Sequence, residues 1–175
     1  MSKIAFIFPG QGAQKTGMGK DFYEQSQRAA EIYDAASKRL KEEMEIDIRT
    51  LCFDENDKLD QTAYTQAALV TTCLAMARTL EEKGVRADVT AGLSLGEYCA
   101  IAVAGGMSDL DAVWAVRKRG VLMEEAVPTG VGAMAAVLGL SAEQIEKVTE
   151  EIKGVTVANY NCPGQVVITG ETDSV

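Results

Sequence analysis

Short apolar runs that alternate with longer segments of helical periodicity constrain the fold of this chain more than any other sequence feature. Residues 4–8 form a continuous apolar run that predicts a buried strand, and a short strand is also predicted within residues 85–92. Apolar side chains recur at helical spacing through residues 21–40, 65–83 and 96–104. Strands that alternate with helices are typical of an α/β sheet. The first part of the chain therefore predicts an α/β domain.

A further helix is predicted from the capping pair Ser108 and Asp111, and the pattern changes after Pro128. From there the predicted elements are a strand, a helix and two strands, at residues 132–138, 142–151, 155–160 and 165–169. This β-α-β-β order is the first part of a ferredoxin-like unit, which needs a further helix and strand. We expect residues 1–128 to be the N-terminal part of a large domain and residues 129–175 an incomplete ferredoxin-like subdomain.

The composition favours a globular protein and excludes several classes of partner. Of the 175 residues, 47% are hydrophobic, and the formal net charge of -9 argues against a nucleic-acid or anionic-membrane surface. No apolar run is long enough to span a bilayer. The four cysteines form no C-x-x-C pair and the chain contains no histidine, so neither a zinc site nor a redox motif is indicated. Reduced thiols are typical of the cytoplasm, which is the expected compartment.

The sequence Gly92-Leu93-Ser94-Leu95-Gly96 lies between a predicted strand and a predicted helix. In that context G-x-S-x-G indicates a nucleophile elbow, because the glycines allow a sharp turn that projects the serine hydroxyl from the sheet. The following helix would add amide donors and the positive end of its dipole near a reacting carbonyl. A tight turn with a capping serine is the alternative. We therefore take Ser94 as the candidate nucleophile of an acyl-transfer enzyme.

A second glycine-rich segment, Gly10-Gln11-Gly12-Ala13-Gln14-Lys15-Thr16, follows the first predicted strand. Its spacing does not match a phosphate-binding loop, which would require glycine in place of Lys15 or lysine in place of Met18. The dinucleotide pattern G-x-G-x-x-G also fails at Lys15. A plain turn explains the two glycines, but it explains less readily the two glutamines at the end of a buried strand.

Four stretches together resemble those of malonyl-CoA:acyl carrier protein transacylases, the acyltransferase domains of fatty acid and polyketide synthesis. In the family's order, they are residues 8–14 (FPGQGAQ), 92–98 (GLSLGEY), 119–123 (RGVLM) and 159–168 (NYNCPGQVVI). The resemblance implies a hydrolase-like, mostly parallel α/β sheet domain with an inserted ferredoxin-like α+β subdomain, both incomplete in this chain. It also implies a malonyl-serine ester that passes from malonyl-CoA to the phosphopantetheine thiol of acyl carrier protein. No cofactor is implied, because the CoA thioester is a substrate.

The resemblance assigns catalytic roles to particular residues. Ser94 would attack the thioester, and the backbone amides of Gln11 and Leu95 would form the oxyanion hole. Arg119 would hold the free carboxylate of the malonyl group, because its planar fork can bind both oxygens. These residues account for the nucleophile, the stabilisation of charge and the choice of substrate.

Other residues match family positions near the substrate, but each also has an ordinary explanation. Gln66 stands near a helix N-terminus, Met123 has the spacing of a core residue, and Asn161 is suited to turn hydrogen bonding. Without the resemblance, the three consecutive charges at Arg117, Lys118 and Arg119 would indicate a run of residues that face solvent. With the resemblance, Arg117 and Lys118 become candidates for contact with CoA phosphates or the acidic carrier protein.

The chain departs from the family pattern in two ways. Leu93 stands where the family often has histidine, a change expected to affect packing or substrate preference. The family's catalytic histidine lies downstream of the last residue, so we expect this chain to be inactive or weakly active alone, because an unassisted serine is a poor nucleophile. Two alternatives stay open. One is a non-catalytic remnant or binding module; the other is an α/β-hydrolase, which also needs a histidine and does not explain Arg119.

Overall fold

The computed structural model describes residues 3–128 and 130–175, and it shows a mixed α/β protein. The helices are α1 Lys20–Gln25, α2 Gln27–Leu40, α3 Ile48–Phe53, α4 Thr62–Glu82, α5 Gly96–Val103, α6 Asp109–Ala126 and α7 Ala142–Glu151. The strands are β1 Ala5–Phe8, β2 Val89–Gly92, β3 Gly132–Leu138, β4 Val155–Cys162 and β5 Gln165–Glu171. The chain folds as two compact units, Met1–Met123 and Glu124–Val175. The division between the units follows Met123, five residues before the domain boundary expected after Pro128, which stays a prediction.

The first unit contains a two-stranded parallel sheet. Strand β1 pairs with β2 in a register that joins Ala5 to Val89 and Phe8 to Gly92. Parallel neighbours need a crossover connection, and helices α1 to α4 provide it. The strand predicted within residues 85–92 is confirmed, and it occupies the second half of that range. This pairing brings the carboxyl ends of both strands to the same edge.

Helix α4 lies at the centre of the first unit's core. Every residue from Thr65 to Thr72 is buried, so this stretch is buried on all sides, whereas helical spacing alone predicts one apolar face. Small side chains allow this burial, and the hydroxyls of Thr65 and Thr72 find backbone partners: Thr72 Oγ1 donates to the Ala68 carbonyl at 2.9 Å. Among the described residues, no helix is long and apolar enough to cross a membrane.

The helix predicted over residues 21–40 is in fact two helices, because the backbone leaves helical geometry at Ser26. Ser26 has φ -126° and ψ 116°, and its hydroxyl accepts a hydrogen bond from the Ala29 N–H at 3.2 Å. That is an N-cap arrangement, so the residue that ends α1 also begins α2. The same hydroxyl lies 2.9 Å from Thr79 Oγ1 on α4, and this long-range contact holds the break in place.

Helix α3 has no counterpart among the predicted elements. Asp47 caps it, because Asp47 Oδ1 accepts hydrogen bonds from the backbone N–H and the Nε of Arg49, both at 2.9 Å. The hydrogen bond from the Arg49 side chain holds the pKa of Asp47 below its usual range, although partial burial opposes that shift. With six residues, the helix is too short for apolar periodicity to identify it.

The second unit is an antiparallel sheet of order β3-β5-β4, together with α7. A capping box begins α7, in which the side chains of Ser141 and Gln144 each bond to the backbone of the other. The predicted order of strand, helix, strand and strand is confirmed. Strands β4 and β5 each extend beyond the predicted ends, to Cys162 and Glu171.

Candidate active site

Ser94 occupies a sharp turn between β2 and α5, and its side chain is exposed there. Its φ of 49° lies in the left-handed region, and no other non-glycine residue among those described has a positive φ. Such a conformation costs about 1–3 kcal/mol and persists only where the surrounding structure imposes it. The strand, turn and helix expected of a nucleophile elbow are therefore present.

Two glycines impose this turn. A Cβ on Gly92 would come within 2.0 Å of the Gly96 carbonyl carbon, and a Cβ on Gly96 would come within 2.3 Å of the Phe8 oxygen. The Leu93 N–H donates to the same Phe8 oxygen at 3.0 Å, which anchors the turn to the end of β1. The elbow is thus packed backbone against backbone. The Leu93 side chain is itself exposed, so it contributes little to the core.

Arg119 reaches Ser94 from α6. Its Nη2 donates to Ser94 Oγ at 3.1 Å, and its Nη1 donates to Gln66 Oε1 at 2.8 Å. Gly120 allows α6 to approach the start of α4, because a Cβ at this position would lie 2.7 Å from the Thr62 carbonyl oxygen. The glycine therefore provides the close packing that brings the guanidinium to the serine.

Gln66 is fully buried and connects the arginine to the glycine-rich loop. Its Nε2 lies 3.3 Å from Gln11 Oε1 and 3.3 Å from Met123 Sδ. Gln11 Nε2 in turn donates to Thr62 Oγ1 at 3.0 Å. Five residues singled out from the sequence therefore lie in one connected cluster: Ser94, Gln11, Gln66, Arg119 and Met123.

Thr62 belongs to this cluster, although nothing in the sequence motifs singles it out. It is the first residue of α4 and lies four residues before Gln66, so the two side chains share a face of the helix. That spacing is the signal that could have identified Thr62. The signal is weak, because threonine is common at helix N-termini for capping reasons.

The backbone N–H groups of Gln11 and Leu95 have no hydrogen-bond acceptor among the described residues. The Leu95 side chain is buried, which fixes the backbone at the start of α5. Gln14 holds the loop that carries Gln11: its Oε1 accepts from the Gly12 N–H at 2.8 Å, and its Nε2 donates to Asp60 Oδ1 at 2.9 Å. The two glutamines of this loop thus have different roles, one in the cluster and one in the loop itself.

Arg117 and Lys118 are not free for a ligand in the way the sequence suggests. Arg117 is buried: its guanidinium donates to the Ala63 carbonyl, donates to the Glu43 carbonyl at 2.7 Å, and lies 4.8 Å from the Tyr64 ring centroid. Lys118 Nζ pairs with the Glu43 carboxylate at 3.0 Å. The expectation that Arg117 contacts CoA or a carrier protein is therefore wrong, because its donors hold the helices together. The charge run is not a uniformly solvated face either.

Asn161 lies in the second unit, on β4. Its side chain is exposed, and its Nδ2 donates to Gln165 Oε1 at 3.1 Å across the β4–β5 hairpin. Asn159, on the same strand, is also exposed. A role for Asn161 at the substrate stays a prediction.

Among the described residues, none that hydrogen bonds to the Ser94 hydroxyl can act as a general base. Its partner is Arg119, whose guanidinium donates hydrogen bonds and does not accept protons. The chain contains no histidine, and no group of three or more metal-binding side chains occurs within the described part of the chain. The described residues therefore place a hydrogen-bond donor, and not a proton acceptor, against the Ser94 hydroxyl.

A serine on such an elbow, with free backbone donors beside it, is the arrangement that serine acyl-transfer enzymes use. The group that hydrogen bonds to the serine hydroxyl is a guanidinium, which binds carboxylates well in proteins. The chain belongs to the acyl transferase domain family, whose sequence profile matches residues 5–175.

Individual relatives agree with this assignment. Malonyl CoA-acyl carrier protein transacylase of Bacillus subtilis is 49% identical over 180 residues, which cover 100% of this chain and 56% of that protein. The crystal structure of MCAT from Streptococcus pneumoniae has 48% sequence identity and a TM-score of 0.86, covering 97% of this chain and 55% of its own. The structure of a type II PKS acyl-carrier protein in complex with its malonyl-transacylase has 38% sequence identity and a TM-score of 0.89, covering 99% of this chain and 56% of its own. The chain thus spans little more than half the length of these relatives.

Proposed function

We propose that this chain carries the nucleophile of an enzyme that moves a malonyl group from CoA to the phosphopantetheine thiol of an acyl carrier protein, in fatty acid biosynthesis. The 3.1 Å contact between Arg119 Nη2 and Ser94 Oγ carries this proposal. A guanidinium binds carboxylates well, so an acyl group on Ser94 that ends in a carboxylate would lie within reach of Arg119. The names of the relatives support the same substrate.

The transfer has two steps. Ser94 Oγ attacks the thioester carbonyl of malonyl-CoA and gives up its proton to a base, and CoA then leaves as a thiol. The carrier-protein thiol next attacks the malonyl-serine ester, and the serine hydroxyl is restored. In both steps the carbonyl oxygen becomes negative, and the N–H groups of Gln11 and Leu95 would bind it, each donor contributing ~2.7–4 kcal/mol in the transition state.

Specificity for malonyl over acetyl would come from Arg119. Its planar guanidinium can bind both carboxylate oxygens, which a lysine ammonium cannot do in the same geometry. Gln66 would orient the guanidinium, because it is buried and accepts from Nη1. Met123 would line the acyl site, and a substrate contact by Asn161 stays a prediction.

The base is proposed to be a histidine outside these 175 residues, since the chain contains none. General-base help is worth roughly 10²–10⁴-fold in rate, so this chain alone would be weakly active or inactive. The same absence of histidine favours a second candidate function, a non-catalytic module that binds the acyl donor or the carrier protein.

The finer architecture is also part of the proposal. Residues 1–128 would belong to a hydrolase-like, mostly parallel sheet domain, which the parallel pairing of β1 with β2 supports. Residues 129–175 would belong to an inserted ferredoxin-like subdomain, which the strand order β3-β5-β4 supports. Both would be incomplete in this chain. A cytoplasmic location is consistent with the four free thiols.

The experiment is acylation of the full chain by malonyl-CoA, followed by intact mass measurement, with and without added imidazole as an external base. We expect slow addition of one malonyl group to Ser94, and faster addition with imidazole. Ser94→Ala should remove the addition, whereas Ser174→Ala, the same change on the second unit, should keep it. Addition that persists in Ser94→Ala would exclude Ser94 as the nucleophile.

The carboxylate role is tested by replacing the arginine. Arg119→Ala should slow malonyl addition roughly 10- to 100-fold, the range for hydrogen bonds to a charged group, and leave acetyl addition from acetyl-CoA nearly unchanged. Arg86→Ala, at an exposed arginine of the same unit, is the matched control. If imidazole gives no addition while malonyl-CoA still binds saturably, the non-catalytic binding module is the better account.

A further inference from the structure

Four side chains form a chain of hydrogen bonds that runs from the start of α4 to the guanidinium. Gln11 Nε2 lies 3.0 Å from Thr62 Oγ1, and Gln66 Nε2 lies 3.3 Å from Gln11 Oε1. The last link joins Gln66 Oε1 to Arg119 Nη1 at 2.8 Å. The guanidinium therefore touches Thr62 only through two glutamine amides.

The direction of this chain follows from its arginine end. A guanidinium only donates, so the oxygen of Gln66 has to face Arg119 and its NH2 group has to face Gln11. Gln11 then presents its own oxygen to Gln66, and its NH2 group is left to donate to Thr62. As long as all three hydrogen bonds are made, each glutamine amide can take only one of its two flipped orientations.

Thr62 is the fixed end of the chain. Gln11 is on an exposed loop, so its amide can rotate or turn toward water unless a partner holds it. Thr62 belongs to the first turn of α4, and the close approach of Gly120 to its carbonyl oxygen shows that this turn is packed against α6. A hydroxyl on a packed helix therefore restrains an amide on a loop.

We propose that Thr62 is a positioning residue for Arg119. Its hydroxyl holds the Gln11 amide, Gln11 holds Gln66, and Gln66 sets the angle at which the guanidinium meets an acyl group on Ser94. Thr62 thereby contributes to the choice of carboxylated over neutral acyl groups without touching either. This inference rests on the proposed function, in which Arg119 binds the malonyl carboxylate.

The first test needs no substrate. In the full chain labelled with ¹⁵N, NMR follows the side-chain NH2 groups of Gln11 and Gln66 and the Nε–H of Arg119. Thr62→Val keeps the shape of the side chain and removes the hydroxyl. We expect all three signals to shift, and those of Gln66 and Arg119 to exchange with water roughly three- to tenfold faster, the size expected for loss of one hydrogen bond.

Two variants control this measurement. Thr62→Ser restores the hydroxyl and should return the signals to their wild-type positions. Thr71→Val makes the same change on the same helix at a buried hydroxyl that has no hydrogen-bond partner among the described residues, so it should leave all three signals in place. If the valine variant does not fold, Thr62→Ala takes its place in this test. A Thr62 variant that shifts Gln11 alone, with Gln66 and Arg119 unchanged, would overturn the inference.

The second test measures equilibrium binding of malonyl-CoA and acetyl-CoA to the same proteins. Thr62→Val should lower the preference for malonyl-CoA roughly three- to tenfold, by the same hydrogen-bond argument, with acetyl-CoA binding unchanged. Arg119→Ala should remove the preference. If Arg119→Ala removes it and Thr62→Val does not, only the positioning role fails. If Arg119→Ala has no effect, the carboxylate role fails, and the NMR signals still decide whether Thr62 orients Arg119.

Discussion

The two units of this chain bury their apolar side chains to very different extents. In the first unit, apolar residues from β1, α2, α3, α4, α5 and α6 form one buried cluster, in which Tyr33, Leu51 and Leu74 are fully enclosed. In the second unit, only Ile145 and Val166 are buried apolar residues among those described. Leu138 on β3 is 67% exposed.

This difference shows that a chain segment can pair its strands by hydrogen bonds and still bury few of its apolar side chains. In the second unit β3 pairs with β5 along its whole length and β4 pairs with β5 with two register shifts, yet a ladder of hydrogen bonds contributes modestly to net stability. Burial of apolar surface is the larger favourable contribution, and the first unit holds most of it. The connected cluster around Ser94 also lies in the first unit, where packed helices can hold its geometry.

The largest expected difference between the units is in thiol reactivity. Burial raises the pKa of the Cys52 thiol, on α3, to about 12, whereas Cys162 on β4 is exposed. At pH 8 the raised pKa alone should slow alkylation of Cys52 by ~10³-fold relative to an ordinary thiol, because the thiolate is the reactive form. Timed alkylation with mass mapping measures both sites in one sample. Comparable rates would mean that the first unit's core opens readily.

A leucine pair gives the next largest effect. Leu74→Ala, in the centre of α4, should cost about 2–5 kcal/mol of unfolding free energy, because it removes buried contacts and leaves a cavity. Leu138→Ala should stay within about 0.5 kcal/mol, as expected for a surface change. Amide hydrogen exchange of α4 and β5 measures the two costs separately. Equal costs would show that Leu138 is covered in solution, for example by another copy of the chain.

A glycine pair compares close backbone packing in the two units. Gly96→Ala should destabilise the first unit by about 3 kcal/mol, the upper end of overpacking costs, because the new Cβ would meet the Phe8 backbone. Gly164→Ala, in the β4–β5 turn, should cost only about 1–2 kcal/mol, because φ is +79° but no atom lies within 4 Å of the new Cβ. Urea unfolding followed by Trp114 fluorescence reports on the first of these changes, and hydrogen exchange of β5 reports on the second. A mild effect at Gly96 would contradict a rigid elbow.

The smallest expected effect is a pH dependence confined to the first unit. The hydrogen bond from Arg49 holds the pKa of Asp47 below its usual range, so the interaction stabilises the folded state above about pH 4 and is lost as the pH falls further. Asp47→Asn keeps the helix cap and removes the charge. The free energy of unfolding that is lost on acidification should therefore be smaller by about 0.5–1 kcal/mol in this variant, a value limited by solvent screening. Thermal unfolding between pH 6 and about pH 2.5 measures it. Asp173→Asn, the same change at an exposed position of the second unit, is the matched control.

Some features of this protein follow from the sequence by itself. The glycines around Ser94 predict the elbow, and the pair Ser108 with Asp111 predicts a helix start that the structure confirms. These signals are reliable because they act between residues a few positions apart, where backbone geometry and capping hydrogen bonds leave few alternatives.

Other features depend on residues that are distant in sequence, and only the tertiary structure decides them. Ser26 breaks a predicted helix with the support of Thr79, and Arg117 is buried by carbonyl groups more than fifty positions away. Thr62 joins the site for the same reason, since its partner Gln11 is 51 residues distant. Local propensity carries no information about such contacts, because their free energy appears only once the helices have packed.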